Sequence, residues 1–457
     1  MASKQTMSRR RALKNAGIAA IGSGAVLLGG SPLNAQGGAP AIVTNTQAGR
    51  RFKAFVKATT AEIPTVVEVT ARGLTGNQVL LRVEAAQTCY TSIDQVLIPG
   101  TPTAQATIVG HGGVGIVEAI GPQVISTRVG DRVILNLHGA CGRCFNCLNM
   151  RSDKCRSGQA GPQQPIANMA NGTPVFGRTG AMSELAITGE EMVTPLFTTV
   201  SGPEIAMLTC VGGCGLGMTM TNAPVDVASD VVIFGAGPVG LASIMGAKVK
   251  GASRIIVVEP IQYRRDLALK LGATDVVDPN QYKGRTPIPN AGATADHFKD
   301  ELVDHLREMT KEKNDRIWAG AGRNGPHHVI EAVGGDKMKP RTHPQGPDPT
   351  GVRVLNQCWE LGSSIGSIVT CSVGHPSNAF VQIPAAQWAD GAKHHWPGTG
   401  GGTNDRRDSP RYVRLMETGQ INMKATVGKT FPLSQTKEAY QECADRTVIS
   451  TVVTSNA

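Results

Sequence analysis

Four cysteines, Cys141, Cys144, Cys147 and Cys155, crowd into the single stretch CGRCFNCLNMRSDKC. Gaps this short let four thiolates converge on one ion, the closed tetrahedral sulfur shell that structural zinc takes. Two disulfides within the stretch are the competing reading, and metal uptake during folding in a reducing compartment favours zinc. A second stretch, VVIFGAGPVGLASIMGAKVKGASRIIVVEP, offers different chemistry. Gly235, Gly237 and Gly240 keep the G-x-G-x-x-G spacing, with Pro238 and Val239 between them. Glycines so placed permit a tight turn and let a pyrophosphate approach the main chain at the positive end of a helix. Glu259 follows about twenty residues later, where a carboxylate accepts hydrogen bonds from the adenine ribose hydroxyls and repels a 2′-phosphate, selecting NAD over NADP. For Arg264 two readings stand, a cap on the adenosine or a solvated surface arginine.

These residues need a scaffold, and the flanking sequence supplies one. Val231–Phe234 reads as an apolar strand, a helical stretch runs to about Lys250, and a second strand ends at Glu259. Strand, glycine turn, helix, strand and acid in register predict a doubly wound α/β domain with a parallel sheet. Two long stretches interrupt it, near 283–325 and 337–351. The first carries an amphipathic pattern over Phe298–Met309; the second is rich in proline and reads as a loop. Either could seat a partner or cover the cofactor, and plain solvated insertion is the simpler reading. KHHWPGTGGG sets a histidine pair and a tryptophan beside a glycine-rich turn, as a substrate-entrance wall or as ordinary loop packing.

The chain begins with a different signal. Arg9, Arg10 and Arg11 precede the apolar run AGIAAIGSGAVLLGG and then small residues near LNAQ. Basic, apolar and small segments in that order make a targeting peptide, and residues 1–35 are set apart from the fold. The apolar run is shorter than the ~20 residues of a spanning helix, which argues against a stable membrane anchor. The segment resembles a twin-arginine (Tat) signal, which implies the Tat export machinery as a partner and a periplasmic or otherwise exported location. Roughly 420 residues remain, enough for two or three domains. The formal charge of +10 includes Lys4, Arg9, Arg10, Arg11 and Lys14, so half of it belongs to the signal. With aromatics at 4%, the remaining charge reads as solubility and not as a nucleic-acid face.

From about Val79 onward the chain resembles the zinc-dependent medium-chain dehydrogenases/reductases typified by alcohol dehydrogenases. VLLRVEAAQTCYTSID is similar to the segment with the first catalytic zinc ligand, here Cys89; VGHGGVGIVEAIGPQVISTRVGDRVI to the one supplying His111; LTCVGGCGLG to the one supplying Cys210. HHVIEAVGG resembles the strand and turn beside the nicotinamide, which includes Val333, and GGTNDRRDSPRYVRLMETGQINM resembles the return to the first domain. The resemblance implies a GroES-like β-rich catalytic domain over 60–211 and 391–457, behind a leader of residues 36–59. A Rossmann NAD-binding domain over 212–390 is inserted between its two parts. It also implies a homo-oligomer, dimer or tetramer.

The family's mechanism then assigns roles. Cys89, His111 and Cys210 hold zinc with a position open for a small alcohol or carbonyl substrate, and NAD(H) exchanges the hydride. Thr91 takes the alcohol proton and passes it to the cofactor ribose. Asp94 stands either as the outer member of that relay or as a helix-start acid facing solvent. Two positions depart from the family: Ser92 and Gly112 replace an aspartate and a glutamate that support the ligands, and such partners are worth ~10- to 100-fold in metal affinity or activity. Cys214 reads as core packing, with an extra ligand or reactive thiol as the alternative.

A nicotinamide enzyme outside the cytoplasm has no soluble NAD pool. Export therefore fits a nicotinoprotein that leaves folded with NAD(H) bound and recycles it with a second carbonyl substrate or an external acceptor. The alternatives are a lyase, hydrolase or epimerase with transient redox, and a non-catalytic zinc- and nucleotide-binding protein.

Overall fold

The computed structural model describes residues 47–455 apart from 101, 156–163, 178, 285, 288–297, 312–324, 343–347, 372–373, 384, 386–387 and 389–391. The targeting segment, residues 1–35, and the first part of the leader lie outside the described residues.

Strands β1 (Arg51–Lys57), β2 (Thr65–Ala71), β4 (Ala106–Ile108), β7 (Ala167–Met169) and β8 (Pro174–Phe176) close a small barrel. Beside it a sheet runs in the order β10 (Val193–Pro195), β6 (Arg132–Leu135), β5 (Gly113–Ile120), β3 (Gln78–Gln87), β20 (Thr451–Thr454), β19 (Lys429–Pro432), with β9 (Leu185–Gly189) also paired to β3. Strand β3 is buried along most of its length, as its run of Val, Leu and Ala requires. The leader is shorter than the sequence reading makes it. Phe52, Ala54 and Val56 point into the barrel core while Arg51 and Lys53 face solvent, so the basic cluster conceals the period-two pattern of a strand.

The second layer is a six-stranded sheet in which every pairing is parallel, in the order β13 (Asp275–Val277), β12 (Arg254–Val258), β11 (Asp230–Phe234), β16 (His328–Glu331), β17 (Ser367–Thr370), β18 (His394–Pro397). Strand order reverses between β11 and β16, which opens a ligand crevice at their carboxyl ends. Strand β18 belongs to this sheet, its His394 opposite Ser367, so the nucleotide domain runs past residue 390. A two-residue hairpin, β14 (Thr286–Pro287) with β15 (Phe298–Lys299), lies in the first insertion.

Helix α1 (Ile93–Leu97) follows β3, and α2, Gly202–Asn222, crosses the domain boundary at 211/212 without a break. Helix α2 is long and apolar enough to span a bilayer, but its apolar stretch is 83% buried and joins the largest core cluster. Helices α3 (Pro238–Val249), α4 (Gln262–Leu271), α5 (Glu301–Met309) and α6 (Val352–Leu361) pack on the parallel sheet. The start of α5 falls three residues after the expected Phe298 because the Asp300 carboxylate accepts from the Leu302 and Val303 N–H groups and caps the helix there. Helices α7 (Asp405–Glu417) and α8 (Thr436–Asp445) return the chain to β20, which pairs with β3.

Candidate active site

Three side chains from distant points of the chain meet at the junction of the two layers. Cys89 follows β3, His111 sits between β4 and β5 with left-handed glycines on either side (Gly110 φ +101°, Gly112 φ +114°), and Cys210 lies on a widened turn of α2. Their donor atoms all lie within 4.8 Å of one another, and the Cys89 and Cys210 sulfurs are 4.0 Å apart. Two thiolates on a tetrahedral zinc with ~2.3 Å bonds stand about 3.8 Å apart, so the triad fits the ion. The Cys210 contact, helped by His111, draws the Cys89 thiol well below its ordinary range although burial opposes this. Burial pulls His111 down, but the Cys89 sulfur outweighs it and raises the imidazole. For Cys210, the Cys214 contact pulls down while Cys89 and burial together hold the thiol well above normal. The cluster is thus polarised, one sulfur favouring the anion beside an imidazole favouring the cation. A dication would displace the remaining protons.

The four cysteines of the second cluster also converge within 4.8 Å. Cys141 and Cys147 sulfurs are 4.0 Å apart, Cys144 and Cys155 3.9 Å, near the same tetrahedral spacing and about twice a ~2.05 Å disulfide bond. All ten cysteines are free, so the disulfide alternative is not adopted. Burial, followed by the neighbouring thiols, pushes Cys147 up to about 12.

A cavity of about 470 Å³ joins the first cluster to the crevice of the parallel sheet. Cys89, Thr91 and Cys210 line one part; Gly235, Gly237, Pro238, Val239, Glu259 and Arg264 line another, with Val333 between. The glycine turn is sterically obligatory: a Cβ on Gly240 would stand 1.8 Å from the Gly235 carbonyl oxygen. Glu259 is buried, its two carboxylate oxygens accepting the Ala236 N–H at 2.7 Å and the Ile261 N–H at 3.0 Å. The Arg264 guanidinium approaches the Cβ position of Gly237 at 3.9 Å, which sets it over the glycine turn. Val333 is half-exposed and anchored by its N–H to Glu331 at 2.7 Å.

The remaining sequence candidates sort themselves by contact. Thr91 places its hydroxyl 3.1 Å from the Cys89 sulfur. Asp94 does not line the cavity; it sits in the first turn of α1 with its carboxylate partly exposed and accepting the Lys337 ammonium at 2.9 Å, the place of the helix-start acid. Gly112 has no room for the family's glutamate, because a Cβ there would lie 2.6 Å from Thr209 Cβ. Ser92 is buried beside Tyr440. Cys214 packs in the core with Cys210 and Cys371 as thiol neighbours and also lines the cavity, outside the ligand cluster. In KHHWPGTGGG the histidines and tryptophan lie along the exposed edge strand β18, while Gly400–Gly402 pack against His138, Cys214 and Asn222 and do not themselves line the cavity.

Sequence reasoning missed Tyr90, Asp336, Lys337 and Arg446, all lining the cavity. Tyr90 was signalled only by lying between Cys89 and Thr91. The others come from a proline-rich loop and a helix end with no motif.

A metal-binding triad open to a Rossmann crevice, with a separate four-cysteine site, defines a two-domain zinc-binding dehydrogenase. The alcohol dehydrogenase GroES-like domain matches residues 75–198, and the zinc-binding dehydrogenase domain matches residues 238–341. The chain belongs to the zinc-binding, alcohol-dehydrogenase-like medium-chain dehydrogenases/reductases. It is 34% identical to geraniol dehydrogenase of Castellaniella defragrans over 45% of this chain and 57% of that protein. It is 24% identical to alcohol dehydrogenase class-3 of Cereibacter sphaeroides over 82% of this chain and 92% of that protein. Benzyl alcohol dehydrogenase from Acinetobacter calcoaceticus shares the fold, with TM-score 0.70 at 23% identity, covering 89% of this chain and 99% of that one.

Proposed function

We propose that this enzyme interconverts a small alcohol with its aldehyde or ketone and that it works outside the cytoplasm with NAD(H) retained. The observation that carries the reaction is the meeting of Cys89, Cys210 and Thr91 with the glycine turn (Gly235, Gly237, Pro238, Val239) around one cavity, with His111 completing the ligand cluster behind Cys89 and Cys210. When bound, zinc supplies Lewis acidity toward the substrate oxygen and NAD the hydride-accepting ring. Cys89, His111 and Cys210 would hold the metal, and Cys141, Cys144, Cys147 and Cys155 a structural ion. Thr91, beside Cys89, takes the alcohol proton and turns it toward the cofactor ribose. Main-chain N–H groups at the start of α3 hold the pyrophosphate, with Arg264 as its counter-charge. Glu259, fixed by two N–H donors, offers its remaining lone pairs to the adenine ribose and repels a 2′-phosphate.

Retention is supported by the twin-arginine pattern of residues 8–17 joined to a nucleotide fold. The names of relatives, geraniol and benzyl alcohol dehydrogenases, make primary alcohols the first panel to try. The test is to isolate exported protein without added cofactor, denature it, and measure NAD(H) by mass spectrometry and zinc by emission spectroscopy. Near one NAD(H) and two zinc per chain, with alcohol oxidation coupled to an added aldehyde, is expected. Cofactor-free protein that needs millimolar NAD refutes retention, and one zinc with no activity on the panel refutes the reaction.

A further inference from the structure

Residues 336–342 leave the nucleotide domain just after the turn that bears Val333 and cross to the catalytic domain beside the cavity. Lys337 donates to the Thr91 carbonyl at 2.6 Å and to Asp94 at 2.9 Å. The Met338 carbonyl accepts the Tyr90 hydroxyl at 3.2 Å. Arg341 spans both oxygens of Asp445 through its Nε at 2.9 Å, Thr342 donates to the Asp445 carbonyl, and Asp336 accepts from Arg446. Apart from Asp348, which pairs with Asp336 within the nucleotide domain, these partners belong to the catalytic domain, either around α1 or at the end of α8. The anchor at α8 is itself set by a left-handed non-glycine residue, Arg446 at φ +58°. Tyr90, Asp336, Lys337 and Arg446 line the same cavity as Cys89 and the glycine turn.

We propose that this segment is a strap that closes over the bound dinucleotide, and that Lys337 is a positioning cation for the dinucleotide's ribose–phosphate oxygens. An ammonium has three donors; two go to protein, and the third belongs to a side chain lining a cavity that must otherwise take in a polyanion. The Lys337–Asp94 pair is partly exposed and contributes little stability by itself. Its consequence is kinetic, because the dinucleotide leaves only when the ties across the cleft open together. The inference rests on the proposal that NAD(H) occupies this crevice.

The test uses the full chain loaded with NADH and chased with excess NAD, following release by NADH fluorescence. Arg341→Ala, which cuts a tie at an exposed arginine outside the cavity, is expected to speed release about two- to fivefold, the range an exposed ion pair supports. Lys337→Met is expected to speed release and also to weaken NADH affinity. The double exchange Asp94→Lys with Lys337→Asp, which restores the pair but moves the cation, is expected to recover slow release only in part. Wild-type release rates in both single variants overturn the strap. Wild-type protein that exchanges NADH within seconds, with variants faster still, supports the strap while ending the retention proposal. Equimolar retained cofactor in wild type and variants alike overturns the strap and leaves retention standing. Hydrogen exchange on wild-type protein reads the strap without a variant. Slower exchange at residues 336–342 with NADH supports it, and unchanged exchange overturns it.

Discussion

Gly112→Ala is the sharpest probe of why the ligand histidine lacks a carboxylate neighbour. The added Cβ meets Thr209 Cβ at 2.6 Å, Thr209 Oγ1 at 2.7 Å and the Leu135 carbonyl oxygen at 3.1 Å, on a backbone at φ +114°. A left-handed conformation costs an L-residue ~1–2 kcal/mol. Overpacking a filled core adds ~1–3 kcal/mol. The expected destabilisation is about 2–5 kcal/mol. Thr209 cannot swing aside freely, since its hydroxyl donates to the Ala206 carbonyl at 2.8 Å, and its neighbour Cys210 is a ligand. Strain at position 112 therefore reaches two of the three metal donors. The assay is urea unfolding of the zinc-loaded protein beside the rate of zinc loss to a chelator. Adding Thr209→Ala is expected to recover the packing part and leave the backbone part. A Gly112→Ala protein within ~0.5 kcal/mol of wild type, with unchanged zinc loss, would refute the reasoning, because surface-like tolerance is incompatible with those distances.

Three further outcomes follow from the charges and contacts described. Zinc uptake by the apo-protein releases protons, because His111 and Cys210 are raised, so affinity falls as pH falls; pH-stat titration with zinc checks this, and pH-independent binding would count against the triad. Asp405, lifted by burial to about 8, lends stability fully present below the ordinary carboxylate range and lost as pH rises through about 8; His138, lowered by burial to about 4, lends stability present above its ordinary value and lost as pH falls through about 4. Asp405→Asn is expected to flatten the alkaline side of a pH–stability curve and spare the acid side. Glu259→Gln keeps one acceptor but removes the charge that repels a 2′-phosphate, and should cut the preference for NAD over NADP about tenfold or more in a binding titration.

What the sequence revealed and what it hid divide along one physical line. The nucleotide turn was legible because every part is local: an apolar strand, glycines forced by a 1.8 Å approach, a helix and an acid lie within one short unit. The four-cysteine loop was legible for the same reason. The triad was recognised only through resemblance, since Cys89 and Cys210 are 121 residues apart and no periodicity announces their meeting. Strand β1 was hidden because arginine and lysine on its exposed face resemble a polar leader when the buried face is not yet known. Asp94 shows the limit most clearly. Its position fitted a relay, but the decision belonged to Lys337, 243 residues away on a loop with no motif. A carboxylate at a helix start, still partly open to solvent, is pinned once an ammonium from the other domain reaches it. The same contact that removes Asp94 from the proton path ties the two domains together, so the role lost at one residue reappears as closure of the cleft.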